Sequence, residues 1–152
     1  MVTGAAPISL PAVITAHNPA WRAGMGASLR EGLQTLPADR DAVVVALVDQ
    51  PLIGAAVVRR LIAAFEAGAE VAVACYGGTP RNPVLIGRAH WAEAAAAARG
   101  DLGARAFLRS RPDLVTQVEC GDIGRPDDID TPADLERISA LVRAAEIGVL
   151  PD

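Results

Sequence analysis

The sequence predicts an α/β fold: a three-layer α/β/α sandwich around a mostly parallel sheet. Three observations predict it. The run Ala42-Val43-Val44-Val45-Ala46-Leu47-Val48 has seven apolar residues without polar alternation, as a central strand buried on both faces would. A second apolar run, Val71 to Cys75, follows after one amphipathic helix, and strand–helix alternation of this kind builds parallel sheets. The first run stops at Asp49-Gln50-Pro51-Leu52, where Pro51 prevents continuation, so a carboxylate sits at a strand's carboxyl end. In open α/β sheets that rim is where ligands bind. Asp49 is therefore a candidate for metal or phosphate chemistry, and equally a plain turn residue.

Bulk properties narrow the field. The 152 residues are expected to form one domain, residues 1-152, with enough apolar content (51%) to bury a core. A net charge of −4, with two Trp, one Tyr and two Phe, argues against nucleic acid or an anionic membrane as partner. Cys75 and Cys120 are too few for a disulfide framework, and neither lies in a metal-type cluster. No apolar run is long enough to cross a bilayer, and a cytoplasmic chain is expected. All 14 basic residues are arginines, so no step that needs a lysine ammonium can be completed from this chain.

In chain order, Val2-Thr3-Gly4 reads as the end of a strand, and Pro7 and Pro11 bracket an irregular piece. Ala12 to His17 is a short strand closed by Asn18-Pro19. Gly24-Met25-Gly26 leads into a helix carrying Leu29, Leu33 and Leu36. Its glycines either admit a flat ligand close to the backbone or make a ligand-free turn. Gly54 to Gly68 is an amphipathic helix with Val58, Leu61, Ile62 and Phe65 inward and Arg59, Arg60 and Glu66 outward. After the strand Glu70–Tyr76, a loop or hairpin tip over residues 77–83 returns as Val84–Gly87. The alanine-rich stretch 89–99 is helical on propensity, and Asp101 is the natural N-cap of the next helix. Leu114 to Cys120 alternates, giving a strand with one wetter face. Thr131-Pro132-Ala133-Asp134 is a capping-box-like start for a last helix that buries Leu135, Ile138, Val142 and Ala145.

The second acidic feature is Asp128-Ile129-Asp130. Loops that follow parallel strands share one rim, so these carboxylates and Asp49 can converge on Mg²⁺ and a substrate phosphate. The competing reading is that Asp128 and Asp130 only favour the positive end of the last helix.

Five blocks in order give the chain a resemblance. They are Asn18-Pro19-x-Trp21 with Gly24-Met25-Gly26-x-Ser28-Leu29; Asp49-Gln50-Pro51-Leu52; and Tyr76-Gly77-Gly78 with Asn82-Pro83-Val84-Leu85. Gly100-Asp101-x-Gly103-Ala104-Arg105 and Asp128-Ile129-Asp130-Thr131-Pro132-x-Asp134-Leu135 complete the set. The chain resembles the molybdenum cofactor cytidylyltransferases and related molybdopterin nucleotidyltransferases, which implies a Rossmann-like sandwich. It also implies transfer of CMP, or GMP, from an NTP to a molybdopterin-type substrate with release of pyrophosphate, CTP being favoured. By the same resemblance Asp49 and Asp130 hold Mg²⁺ and are catalytic. Gly24, Met25, Gly26, Ser28, Leu29, Gln50 and Pro51 bind the nucleotide. Tyr76, Asn82, Pro83, Gly100, Asp101 and Arg105 face the second substrate.

Two departures qualify this. Arg81-Asn82-Pro83 stands where the family carries Gly-His-Pro. The family's opening strand, its glycine-rich loop and a following lysine are missing, about one β-α unit of roughly 30 residues or somewhat more. The domain is thus expected to be incomplete and its activity impaired. A strand stripped of a neighbour leaves unpaired backbone groups, each costing about 1–3 kcal/mol if kept from water. The second function class is accordingly a non-catalytic relic or nucleotide-binding module that pairs, for example as a homodimer, through an exposed sheet edge.

Overall fold

The structure, a computed structural model, describes residues 1–146, with side chains described as far as Arg143. The fold is mixed α/β, with sheets flanked by helices. The chain divides into two compact units: Met1–Val43 with Ile86–Val115, and Val44–Leu85 with Thr116–Asp152. Among the described residues, no helix is long and apolar enough to cross a membrane.

In the first unit, β1 (Val2–Thr3) pairs in parallel with β2 (Ala16–His17). The strand expected over residues 12–17 shrinks to its last two residues. Ala12 lies at φ +59, a left-handed backbone that an extended strand cannot contain. Helix α1 (Met25–Thr35) packs on both strands and buries Ala27, Leu29 and Leu33. It also packs against the turn Gly100–Leu102 and against α3 (Trp91–Ala97). Helix α4 (Arg105–Ser110) anchors this unit with Phe107, which is fully buried. Asp101 does not cap it. A 3-10 turn over Gly100–Leu102 and Gly103 at φ +52 intervene, so the helix starts later, from Ala104, without a side-chain cap.

The second unit holds most of a four-stranded sheet in the order β3-β5-β4-β6, built from β3 (Ala42–Val45), β5 (Thr79–Gly87), β4 (Val71–Tyr76) and β6 (Val115–Glu119). The central strand is not the one the sequence points to. Val71 to Cys75 of β4 are all buried, whereas β3 lies at the sheet edge, spans four residues and is only half-buried. Beyond it Val48 is 94% exposed. An apolar run tells how a strand would like to be covered, not whether a neighbour is there to cover it. Two residues, Gly77 and Gly78, connect β4 to β5, and a turn that short joins antiparallel strands. The sheet is therefore mixed at this point: of the two expected readings of this stretch the hairpin holds, with β5 starting at Thr79 rather than Val84.

Helix α2 (Ala55–Glu66) covers β4 with Val57 and Leu61, each 0% exposed, worth roughly 1.5–3 kcal/mol apiece for a fully buried aliphatic side chain. The buried stripe is rotated from the expected one, and Ile62 stands 39% exposed. Arg60 does not simply face solvent. Its guanidinium grips Asp122 at 2.5 and 2.9 Å and donates to the Glu119 carbonyl at 2.8 Å. β6 does not show the expected alternation: Thr116, Gln117 and Glu119 are exposed and Val115 and Val118 half-buried, so both faces are wet at this sheet edge. Helix α5 (Pro132–Glu146) opens with the expected capping box: the Asp134 amide donates to Thr131 Oγ1, and the Thr131 amide to Asp134 Oδ2. Of its expected inward face, Ile138 is buried, whereas Leu135 and Val142 are 52% and 40% exposed. Ala145 lies outside the described side chains.

Candidate functional site

The second unit carries an acidic rim. After β3 the chain turns through Asp49, Gln50 and Pro51, with the Ile53 amide donating to the Gln50 carbonyl at 3.2 Å. The segment leading to α5 lies alongside. The Ile129 amide donates to the Asp49 carbonyl at 2.9 Å, and the Arg125 amide to the Leu52 carbonyl at 3.4 Å. One side-chain bond joins the same segments, Gln50 Nε2 to Asp128 Oδ1 at 2.8 Å. Residues 78 and 80 positions apart are thus held at hydrogen-bond distance, and Asp130 follows Ile129 directly.

Two oxygens on this rim are buried without a hydrogen-bond partner, Asp49 Oδ1 and Gln50 Oε1. Both only accept, and an unmet buried acceptor costs about 1–3 kcal/mol. The charge around them is uneven. Asp127 is held by Arg125 at 3.0 Å and Arg137 at 2.9 Å; burial works against ionisation, but these guanidiniums prevail and keep its carboxyl below the ordinary range. Asp134 lies below it too, through Thr131 and then Arg137. Asp128 is met by a neutral amide, and Asp130 is exposed. Among the described residues, no three His, Cys, Asp or Glu side chains gather as a metal cluster.

The hairpin tip beside β6, in the stretch expected to face the second substrate, holds a contact that the sequence does not announce. Gly77 and Gly78, at φ +57 and +75, turn their amides towards the Glu119 carboxylate, which also receives the Gly121 amide, each at 3.0 Å. The amides of Gly78, Gly121 and Gly77 hold this carboxyl below its ordinary value. The double glycine is the sequence signal for this turn. It marks a tight hairpin but does not say which side chain will fill it. Tyr76 donates to the Asn82 carbonyl at 3.3 Å, and burial, then the neighbouring Cys120, Cys75 and Glu119, pushes its phenol up to about 12. Of the expected substrate-facing residues here, Pro83 is fully buried in β5 and Asn82 is half-buried.

In the first unit, the glycine-bearing stretch and the Gly100–Arg105 segment meet each other. A Cβ on Gly24 would stand 2.5 Å from the Gly100 carbonyl carbon and oxygen and 2.6 Å from Asp101 Oδ1. One on Gly26 would stand 2.7 Å from the Arg99 amide nitrogen. The close approach these glycines permit is thus to the protein's own backbone. Arg30 reinforces it by donating to the Ala98 carbonyl. Leu29 is buried, and Ser28 Oγ accepts from Asn18 Nδ2 at 3.1 Å. Met25, Asp101 and Arg105 remain exposed.

Comparison with known proteins agrees with this architecture. Nicotine blue oxidoreductase of Paenarthrobacter nicotinovorans is 33% identical over 133 residues, which cover 83% of this chain. The chain spans 63% of the length of that relative. A homologue, from Mycobacterium sp. strain JC1, of Mycobacterium tuberculosis Rv0371c superposes with a TM-score of 0.75 at 26% identity, over 93% of this chain and 74% of that one. Rv0371c of M. tuberculosis H37Rv in complex with manganese gives 0.68 at 26% identity, over 90% and 75% of the two chains. The MobA-like NTP transferase domain matches residues 2–115, three quarters of the sequence and most of the fold just described, and the chain belongs to that family.

Proposed function

We propose that this chain is a nucleotidyltransferase that joins the nucleotide of an NTP to a phosphorylated acceptor, with a divalent cation held at the Asp49 rim. One observation carries the reading: Asp49 Oδ1 and Gln50 Oε1 are buried, unpartnered acceptors beside the Asp128–Asp130 segment. Hard oxygen donors of this kind suit Mg²⁺ or Mn²⁺, and the manganese in the complex of the M. tuberculosis relative supports the choice. Asp130 is the second carboxylate that the family pattern marks, and Mg²⁺ is the proposed ion. Such a cation, when bound, neutralises charge that builds on the transferred phosphate. The chain's own contribution is orientation. The Ile129-to-Asp49 backbone bond and the Gln50 amide fix the carboxylates before any ligand arrives.

CTP is the proposed nucleotide and a molybdopterin-type phosphate the proposed acceptor, both on the resemblance; the expected location is the cytoplasm. Gly24, Met25, Gly26, Ser28, Leu29, Gln50 and Pro51 remain the proposed nucleotide contacts, and Tyr76, Asn82, Pro83, Gly100, Asp101 and Arg105 those of the acceptor. Lacking lysine to meet the triphosphate, the 152 residues are proposed to turn over slowly. Calorimetry with CTP and GTP, with and without Mg²⁺, tests the reading. Asp49→Asn should abolish the Mg²⁺-dependent part of nucleotide binding, and its retention would overturn the role given to Asp49.

Two specific observations favour other readings. The 33% identity to nicotine blue oxidoreductase favours oxidoreductase chemistry, for which consumption of a reduced nicotinamide cofactor is the discriminating assay. The half-exposed edge strand β3 favours pairing through that edge into a homodimer, which light scattering of the purified chain decides.

A further inference from the structure

We infer that the outer face of α5 is a contact surface for a second copy of this chain, the two helices lying antiparallel about a twofold axis beside Ser139. The inference is independent of the nucleotidyltransferase reading and of the β3 edge. Helix α5 seats only part of its surface on its own unit. Ile138 is buried and Leu141 half-buried. Two of its charges are already engaged: Arg137 reaches Asp127 at 2.9 Å and Asp134 at 3.2 Å, and Asp134 also accepts from Thr131. The rest of the surface differs. Leu135 and Val142 are exposed apolar side chains, and Glu136, Ala140 and Arg143 are exposed beside them. Among the described residues, no hydrogen bond or ion pair engages the side chain of Glu136 or of Arg143.

Spacing sets these side chains in two columns. Seven residues fall about 20° short of two helical turns, so Val142 stands over Leu135 and Arg143 over Glu136. Ser139 lies between the columns and midway along them, three or four residues from each of the four. A twofold axis perpendicular to α5 beside Ser139 reverses the helix but keeps each column on its own side. Leu135 of one copy then meets Val142 of the partner, and Glu136 meets Arg143 of the partner, each pairing occurring twice. The direction is decided by charge. Parallel helices would set Glu136 against Glu136 and Arg143 against Arg143, and like charges repel. Ser139 is small, so it allows the axes to approach to about 8–10 Å at the crossing. A second copy satisfies both columns at once, because each end of the face carries what the other end requires. A single helix pair falls below the roughly 1,200–2,000 Å² of a stable interface, so this association is weak and depends on concentration.

The test is sedimentation equilibrium of the full chain at low salt, up to about 1 mM, where a monomer–dimer equilibrium is expected. Glu136→Arg and Arg143→Glu should each weaken the dimer about two- to thirtyfold, the loss of two exposed ion pairs. Combining them reverses both signs, restores each pair and should return affinity to within about twofold of the parent. Leu135→Glu should leave the chain monomeric, with an unchanged melting midpoint in dilute solution. A parent chain that stays monomeric throughout overturns the inference. A dimer that none of these variants weakens also overturns it and leaves the β3 edge as the contact. Failure of the combined variant to recover removes the antiparallel register, and the inference with it. A lowered midpoint for dilute Leu135→Glu with association intact means that the chain covers the apolar column itself, which is equally fatal.

Discussion

Replacing Gly24 by alanine should cost the first unit more stability than any other single methyl added at a described glycine. Two penalties combine at this position. Gly24 sits at φ +97 and ψ 179, a region that side chains avoid at a cost of about 1–3 kcal/mol. Its new Cβ would also press on the Gly100 backbone at 2.5 Å, where overpacking costs about a further 1–3 kcal/mol because main chain cannot rotate away. A loss of about 2–6 kcal/mol follows from these two ranges. Two other substitutions separate the contributions. Gly68 has φ +107 with nothing within 4 Å of its Cβ position, so Gly68→Ala shows backbone strain alone, about 1–2 kcal/mol. Gly26 lies inside α1, so Gly26→Ala gains up to about 1 kcal/mol of helix propensity and meets the clash with Arg99 without positive-φ strain. Urea denaturation of the three variants, read from midpoint and slope, gives the ranking. Should Gly24→Ala prove no more costly than Gly68→Ala, the close contact between α1 and the Gly100 turn is not what the glycine serves.

Two further outcomes follow from the same geometry in the second unit. Glu119 is held below its ordinary value of 4.5, so its contribution to folding is complete above that pH and is lost as pH falls through the depressed value. In Glu119→Gln the Gly77 and Gly78 amides should exchange faster than in the parent at neutral pH, with the difference closing in acid; a gap that persists in acid rules out the charge as its origin. Thr131→Ala removes one half of the capping box and should cost about 0.5–2 kcal/mol, with Thr131→Ser restoring most of it. Thermal melts decide, and an unchanged midpoint for the alanine variant would remove the cap from the account.

What sequence reasoning reads well here is local. Thr131-Pro132-Ala133-Asp134 specifies its own cap within four residues, whereas β3 ends at Val45, before the Asp49-Gln50-Pro51 stop. What it misreads depends on partners supplied from elsewhere. The Ala42–Val48 run has the composition of a doubly covered strand, but the structure places β3 at an edge, and only position in the sheet distinguishes the two. Ile62 and Leu135 obey helical spacing but lie off the stripe that meets a neighbour. Gly24 and Gly26 announce close approach without naming what approaches, which is the Ala98–Asp101 stretch. The role of Gln50 towards Asp128 joins residues 78 positions apart and has no local signature.

The three amides converging on Glu119 have a chemical consequence for the β4–β5 turn. Consecutive main-chain N–H groups in such a concavity are a ready receptor for phosphate or sulfate oxygens. Here a resident side chain fills that receptor with its own negative charge, so an incoming anion would first have to expel it. The turn is therefore self-sealed against oxyanions, and a phosphorylated ligand must make its contacts at other positions on the protein.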